Sequence, residues 1–288
     1  MYKIGLVGTE STHCEAFCRL INQNNVIDAK FTHVWGESGF DERTTYVMDT
    51  YGIETRCKNI EDMIGEVDLA FIVTRDGNAH FAQAMPFIES KTPIWIDKPI
   101  ALNEEDAKKL CDYAKKYDAA LLGGSTLKSA SELLKLKEDI SKLEKSVDYF
   151  SLSAYASLNN PYGGIAFHGI HLVEILNFLF GDDIDTITAN VHNDNVNVIL
   201  NYKNGMIANL VMLCRTSKYT YSVIAGAENL TACVTLSDAY AKEMHYVEDV
   251  IKGNAQPRLA SDFIAPVKIM KAIEEAIASP GSYIKYNK

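Results

Sequence analysis

The side chains able to do chemistry sit in a few short stretches. One is "WIDKPIA", where Asp97, Lys98 and Pro99 follow an apolar run. An ammonium at that place can hydrogen-bond a hydroxyl and lower the pKa of a nearby acid. A lone lysine is more often a solvated surface residue, so the placement of Lys98 decides its reading. Another stretch is "GGIAFHGIHLVEILNFLFGD", in which His168, His171 and Glu174 recur every three residues. On a helix they share one face. An imidazole there can take a hydroxyl proton near neutral pH. Among Ile170, Leu172 and Ile175 it can equally be a buried packing residue. The H-x-x-H-x-x-E spacing also offers groups that zinc accepts. Successive i, i+3 positions drift around the helix, no fourth ligand is evident, and no metal is expected.

The opening "KIGLVGTESTHCEAF" has the shape of a phosphate-binding turn: an apolar strand running into a glycine. A dinucleotide turn reads G-x-G-x-x-G, the glycines serving a tight turn, close backbone approach to the pyrophosphate and close helix packing. Here the same spacing gives Gly8, Glu10 and His13. Gly8 keeps the first duty. Glu10 puts a carboxylate where the second glycine belongs, and His13 a bulky ring where the third belongs. Thr9, Ser11 and Thr12 remain as polar groups, and the Ser11 and Thr12 hydroxyls are expected to hydrogen-bond phosphate. The turn is expected to bind a dinucleotide more weakly, or in shifted geometry, than a full glycine loop.

Strands and helices must place these groups. Apolar runs at Tyr2–Gly8, Ala29–Glu37, Val67–Thr74, Thr92–Asp97 and Ala119–Gly124 alternate with amphipathic segments. Among these is "NEEDAKKLCDYAKKYD", with Asn103 as its cap. Pro86 is expected to break or bend the helix that contains it. This rhythm predicts a doubly wound parallel sheet over residues 1–122, a Rossmann-type dinucleotide-binding domain. Its ligand would lie beyond the carboxyl ends of the strands, which is where Gly8–His13, Glu37, Thr74–His80 and Asp97–Pro99 fall. Glu37 is the candidate for ribose hydroxyls, which favours NAD over NADP weakly; Ser38 and Arg43 could serve a 2′-phosphate instead. From residue 123 to 288 the rhythm changes to consecutive strands, with Asn204-Gly205 as a hairpin signal. This predicts an α+β domain with an open, mostly antiparallel sheet, ended by helices near 239–252 and 262–278; the last of these can pack back on the first domain. Val198, Leu200, Ile207, Leu210 and Leu213 are hard to bury on one sheet face alone, which favours a homodimer or homotetramer through this sheet.

"DLAFIVTRDGNAHFAQAMPFIESKTPIWIDKPIA" resembles the Gfo/Idh/MocA oxidoreductases, whose hallmark is a strand, N-x-H, a helix, another strand and E-K-P. The pieces here are Asn78, His80 and Asp97-Lys98-Pro99, with Asp97 in place of the usual Glu. The glycine-opened helix, the hairpin "NVNVILNYKNGMIANLVML" and the final helix resemble the family's second domain, so the resemblance covers nearly the whole chain. It implies a cis bond before Pro99 and a cofactor lying along Thr74, Asn78 and His80. It implies Lys98 at work beside a nicotinamide and His171 as general base. It also implies NAD or NADP as cofactor and a sugar, inositol or related polyol as substrate. The family's acid four residues before the histidine aligns with Phe167, so that carboxylate is absent unless His168 or Glu174 substitutes. Tyr155, Asn159, Asn160, Tyr162, Phe167 and His168 are candidates for lining the substrate pocket, and Lys128 can point to it. The rival expectation is a degenerate relative that binds a sugar-like ligand or a partner without redox turnover. A redox-neutral hydrolase or lyase using NAD transiently is a further variant.

Composition narrows the rest. The chain has 288 residues, 47% hydrophobic and 23% charged, with a formal net charge of −10. That balance lacks the basic footprint of a nucleic-acid binder. The six cysteines show no C-x-x-C spacing, which suits buried reduced thiols. No apolar run is long enough to span a bilayer. The expectation is a soluble cytoplasmic protein.

Overall fold

A computed structural model describes residues 1–286, which form two compact units. The first gathers Met1–Thr126 and also Tyr240–Phe263, a segment that the strand rhythm assigns to the second domain. Its elements run β1 (Tyr2–Val7), α1 (Thr12–Cys18), β2 (Ala29–Trp35), α2 (Asp41–Tyr51), β3 (Thr55–Arg56), β4 (Leu69–Ile72), α3 (His80–Glu89), β5 (Ile94–Ile96), α4 (Glu104–Tyr117) and β6 (Leu121–Gly123). The sheet is six-stranded and parallel, in the order β3-β2-β1-β4-β5-β6. Strand order therefore reverses between β1 and β4, which is where a doubly wound sheet opens its crevice.

Local sequence accounts for most of these elements. Asn103 caps α4 by accepting the Asp106 amide, and α2 stops where Gly52 turns left-handed at φ 66. α3 stays continuous through Pro86 and does not break there. Ala84, Phe87 and Ile88 bury its face, and such packing outweighs one lost backbone hydrogen bond. The core is aromatic: Trp95 is fully buried, stacked on Phe71 at 4.9 Å with Phe17 edge-on. Its indole nitrogen donates to Glu243 Oε1 at 3.0 Å. Arg258 binds both oxygens of that buried carboxylate, at 2.7 and 2.6 Å, and donates to the Gly123 carbonyl. These contacts account for the place of Tyr240–Phe263 in the first unit, because Glu243 and Arg258 neutralise each other inside it.

The second unit, Leu127–Ala239 and Ile264–Lys288, continues with α5 (Ser131–Ser141), β7 (Tyr149–Tyr155), α6 (Ala166–Phe180), β8 (Ile184–His192), β9 (Asn195–Tyr202), β10 (Ile207–Leu213), β11 (Tyr219–Ala225) and β12 (Glu228–Val234). α7 (Ala239–Ile251) lies almost wholly in the first unit's segment, and α8 (Ala260–Ala278) and β13 (Ile284–Lys285) follow. The sheet is seven-stranded and antiparallel except where β7 and β10 run parallel. One face is sealed by Val196, Val198, Leu200, Ala208, Leu210 and Met212, all fully buried. α6 packs on this face so closely that a Cβ at Gly169 would lie 3.1 Å from the Met212 sulfur. Val198, Leu200 and Leu210 thus fall inside. Ile207 is 44% exposed and Leu213 half-buried, both on the alternate positions. Among the described residues no helix is long and apolar enough to cross a membrane.

Candidate active site

The turn after β1 bears directly on β4. Gly8 has φ 94, and a Cβ there would lie 2.7 Å from the Thr74 backbone nitrogen, so only glycine fits. Glu10 does not point to solvent. It is buried, and its Oε1 accepts the Arg75 amide at 2.6 Å, joining the β1 turn to the β4 turn. Its Oε2 is buried and has no hydrogen-bond partner among the described residues. Ser11 stands at the N-cap of α1 but makes no side-chain cap; its hydroxyl donates to the Val73 carbonyl at 3.1 Å. Thr12 is exposed. Thr9 is fully buried, its hydroxyl 2.9 Å from that of Thr44. Arg43 braces the turn by donating to the Thr9 carbonyl at 3.0 Å and the Ser11 carbonyl at 3.5 Å, and pairs with Glu15.

His13 stands where a third glycine is usual, and it has a partner. Its Nδ1 donates to Asp97 Oδ2 at 2.5 Å, while Asp97 Oδ1 accepts the Lys98 amide at 2.8 Å. Burial would push the Asp97 carboxyl up, but His13 and then Lys98 outweigh it and hold that carboxyl below its usual range. Lys98 is only 4% exposed at the carboxyl end of β5, and the Lys98–Pro99 bond is cis. His80 is not a crevice residue. It is fully buried at the start of α3, with Nδ1 2.9 Å from the Pro99 carbonyl and Nε2 3.0 Å from the Thr74 carbonyl. It therefore ties the β4 turn to the Lys98 loop. Asn78 does not cap α3, whose N-cap is Ala79; both its amides donate to Asp76 Oδ1 at 3.0 Å. Thr74 is buried and donates to Gln83. Glu37, half-buried beyond β2, has its carboxyl pushed up by burial and then by the charges of Glu10 and Asp76.

In the second unit the aromatic candidates converge. His168 lies 4.7 Å from Tyr155 and 4.7 Å from Phe167, and Phe167 lies 5.9 Å from Tyr162. His171, one turn along α6, is half-buried. Glu174 is buried and ion-paired with Lys128 Nζ at 2.6 Å, both side chains almost wholly enclosed. Sequence reasoning treats these two separately; the structure pairs them. Glu174 is committed to an ammonium, and no group of three or more His, Cys, Asp or Glu able to hold a metal is found among the described residues.

Residues 2–124 match the family model described as "Oxidoreductase family, NAD-binding Rossmann fold", GFO_IDH_MocA. Over that stretch the chain is similar to the Gfo/Idh/MocA oxidoreductases. Comparison with curated protein sequences gives no match. Among solved structures, the chain is similar over 99% of both chains to scyllo-inositol dehydrogenase from Lactobacillus casei, crystallised with NAD(H) and scyllo-inositol, at 14% identity and TM-score 0.86. It is similar to the WlbA dehydrogenase from Bordetella pertussis, in complex with NADH and UDP-GlcNAcA, at 13% identity over 100% of this chain and 99% of that one, TM-score 0.83. GenD2 from gentamicin A biosynthesis, in complex with NAD, gives 14% identity over 100% and 97%, TM-score 0.86. At such identities the likeness is one of fold.

An NAD-binding Rossmann fold needs a crevice able to hold an anionic dinucleotide. Here the crevice donor is already engaged by an anion: the Arg75 amide holds a carboxylate oxygen of Glu10, a stand-in for a phosphate oxygen. With the Gly8 turn, the reversal of strand order and Glu37 beyond β2, the residues fit the cofactor. Glu10 opposes it by its charge. Sequence reasoning misses the Arg75 amide, the Arg43 brace and the His80 tie, since each is a contact to backbone that no side-chain spacing signals.

Proposed function

We propose that the protein is an NAD(P)-dependent oxidoreductase acting on a carbinol of a sugar, inositol or related polyol, with NAD preferred. The observation that carries the reading is Lys98: an ammonium buried at the carboxyl end of β5, its loop held by Asp97 on one side and His80 on the other. So fixed, Lys98 donates a hydrogen bond to the substrate hydroxyl and lowers its pKa. His171 receives the hydroxyl proton as general base. Bound nicotinamide supplies the hydride acceptor. Tyr155, Tyr162, Phe167 and His168 present an aromatic and polar surface suited to a sugar ring. Glu37 accepts ribose hydroxyls and repels a 2′-phosphate. The outward sheet face around Ile207 and Leu213 pairs two copies in a homodimer or homotetramer, which light scattering checks. The protein works in the cytoplasm.

The deciding experiment is titration of the purified protein with NADH and NADPH, followed by quenching of Trp35 and Trp95 and by nicotinamide emission. Saturation below millimolar, tighter for NADH, is expected; no binding up to millimolar sinks the hydride mechanism. Lys98→Ala and His171→Ala should abolish turnover of a polyol panel and leave NADH affinity within about threefold. A second reading, a ligand-binding relative without redox turnover, is favoured by Glu10 bridging the crevice and Phe167 standing in place of an acid. The same titration separates the two.

A further inference from the structure

We propose that Glu10 determines cofactor affinity: its carboxylate occupies the anion position between the β1 and β4 turns, and a dinucleotide must displace it to bind. The inference rests on the oxidoreductase reading for the identity of the displacing ligand. Its basis is geometric. A doubly wound sheet takes its ligand at the point where strand order reverses, here between β1 and β4. Glu10 comes from one of these turns and binds the backbone amide of the other at 2.6 Å. A charge-assisted bond of this kind is the contact that a phosphate oxygen makes with a backbone amide. The crevice is therefore closed on itself by an internal anion.

The closed contact is also costly. Glu10 is 7% exposed, and Oε2 finds no hydrogen-bond partner among the described residues. A buried carboxylate oxygen left unpaired is destabilising. Its surroundings add like charge, since Glu37 lies close enough to interact with it. Arg43, the cation that braces this turn, is committed to the Thr9 and Ser11 carbonyls and to Glu15. Glu10 is thus held by one good bond in an unfavourable place. A dinucleotide that takes over the Arg75 amide returns the carboxylate to water. While Glu10 stays ionised in the crevice, the same charge repels the diphosphate.

The test compares NADH dissociation constants of the wild type with those of Glu10→Gln, which keeps the shape and removes the charge, and Glu10→Gly, which restores the second glycine. Far-UV circular dichroism confirms that both fold. Glu10→Gly should bind NADH at least tenfold more tightly, and Glu10→Gln by an intermediate factor. Wild type that binds, with both variants unchanged or weaker, overturns the role of Glu10 and leaves the oxidoreductase reading standing. Wild type that fails to bind up to millimolar NADH while Glu10→Gly binds supports the role and overturns the reading of the natural chain as a redox enzyme. Failure of all three to bind overturns both.

Discussion

His13 Nδ1 stands 2.5 Å from Asp97 Oδ2, so two of the places where this chain departs from the signature it resembles touch each other. An aspartate is one methylene shorter than the usual glutamate, and the imidazole in the third-glycine position reaches it. Neither change stands alone. His13→Gly should leave the Asp97 carboxylate buried and short of a donor. Asp97→Glu should push a longer side chain into the imidazole. Each is expected to cost about 1–3 kcal/mol, and the double variant should recover much of the loss. Urea unfolding of the four proteins measures the coupling, and strict additivity would show the pair to be accidental.

The same carboxyl predicts an acid limb. Its pKa is lowered in the folded chain by His13 and Lys98 against the effect of burial. A depressed carboxyl adds stability above its unfolded pKa, about 3.9, and that contribution disappears as pH falls through the lower folded value. Stability should therefore drop below about pH 4, and Asp97→Asn should flatten that part of the profile. Urea midpoints between pH 6 and pH 2.5 check it.

The thiols should sort by burial. Desolvation pushes Cys14 and Cys111 up to about 12 and Cys57 to about 11, and Cys18 is raised well above the ordinary range. Cys233 is exposed and Cys214 half-buried. An aromatic disulfide reagent at pH 8 should label Cys233 and Cys214 within minutes and the other four only in denaturant. Rapid labelling of Cys14 in the folded protein would contradict its enclosed place beneath the turn.

Breaking the Lys128–Glu174 pair should be severe. Glu174→Gln leaves an ammonium enclosed without its counter-charge, at an expected cost of about 3–5 kcal/mol. Replacing both residues, as in Lys128→Met with Glu174→Leu, should restore most of that stability. Thermal unfolding of the single and double variants reads the difference directly.

Much of this was legible before any coordinates. The apolar runs gave the parallel sheet because a strand buried on both faces needs little polar alternation. Asn103 and Asn204-Gly205 mark a cap and a turn because their backbone preferences are local. Lys98 and His171 stand out through the family resemblance, since their residue types and spacing alone fit surface or packing roles as well. The burial of His80 is not legible, since a histidine beside a ligand-bearing turn looks the same whether it faces ligand or carbonyl.

What the sequence determined by itself is the two-part architecture, the Gly8 turn and the residue types at the site. These follow from interactions within a few residues. The tertiary structure decided which groups are partners: Glu10 with the Arg75 amide, 65 residues on, His13 with Asp97, 84 residues on, and Trp95 with Glu243, 148 residues on. A carboxylate's effect depends on whether it points to water or into the sheet crevice. That choice is set by packing between distant segments, which no local pattern encodes.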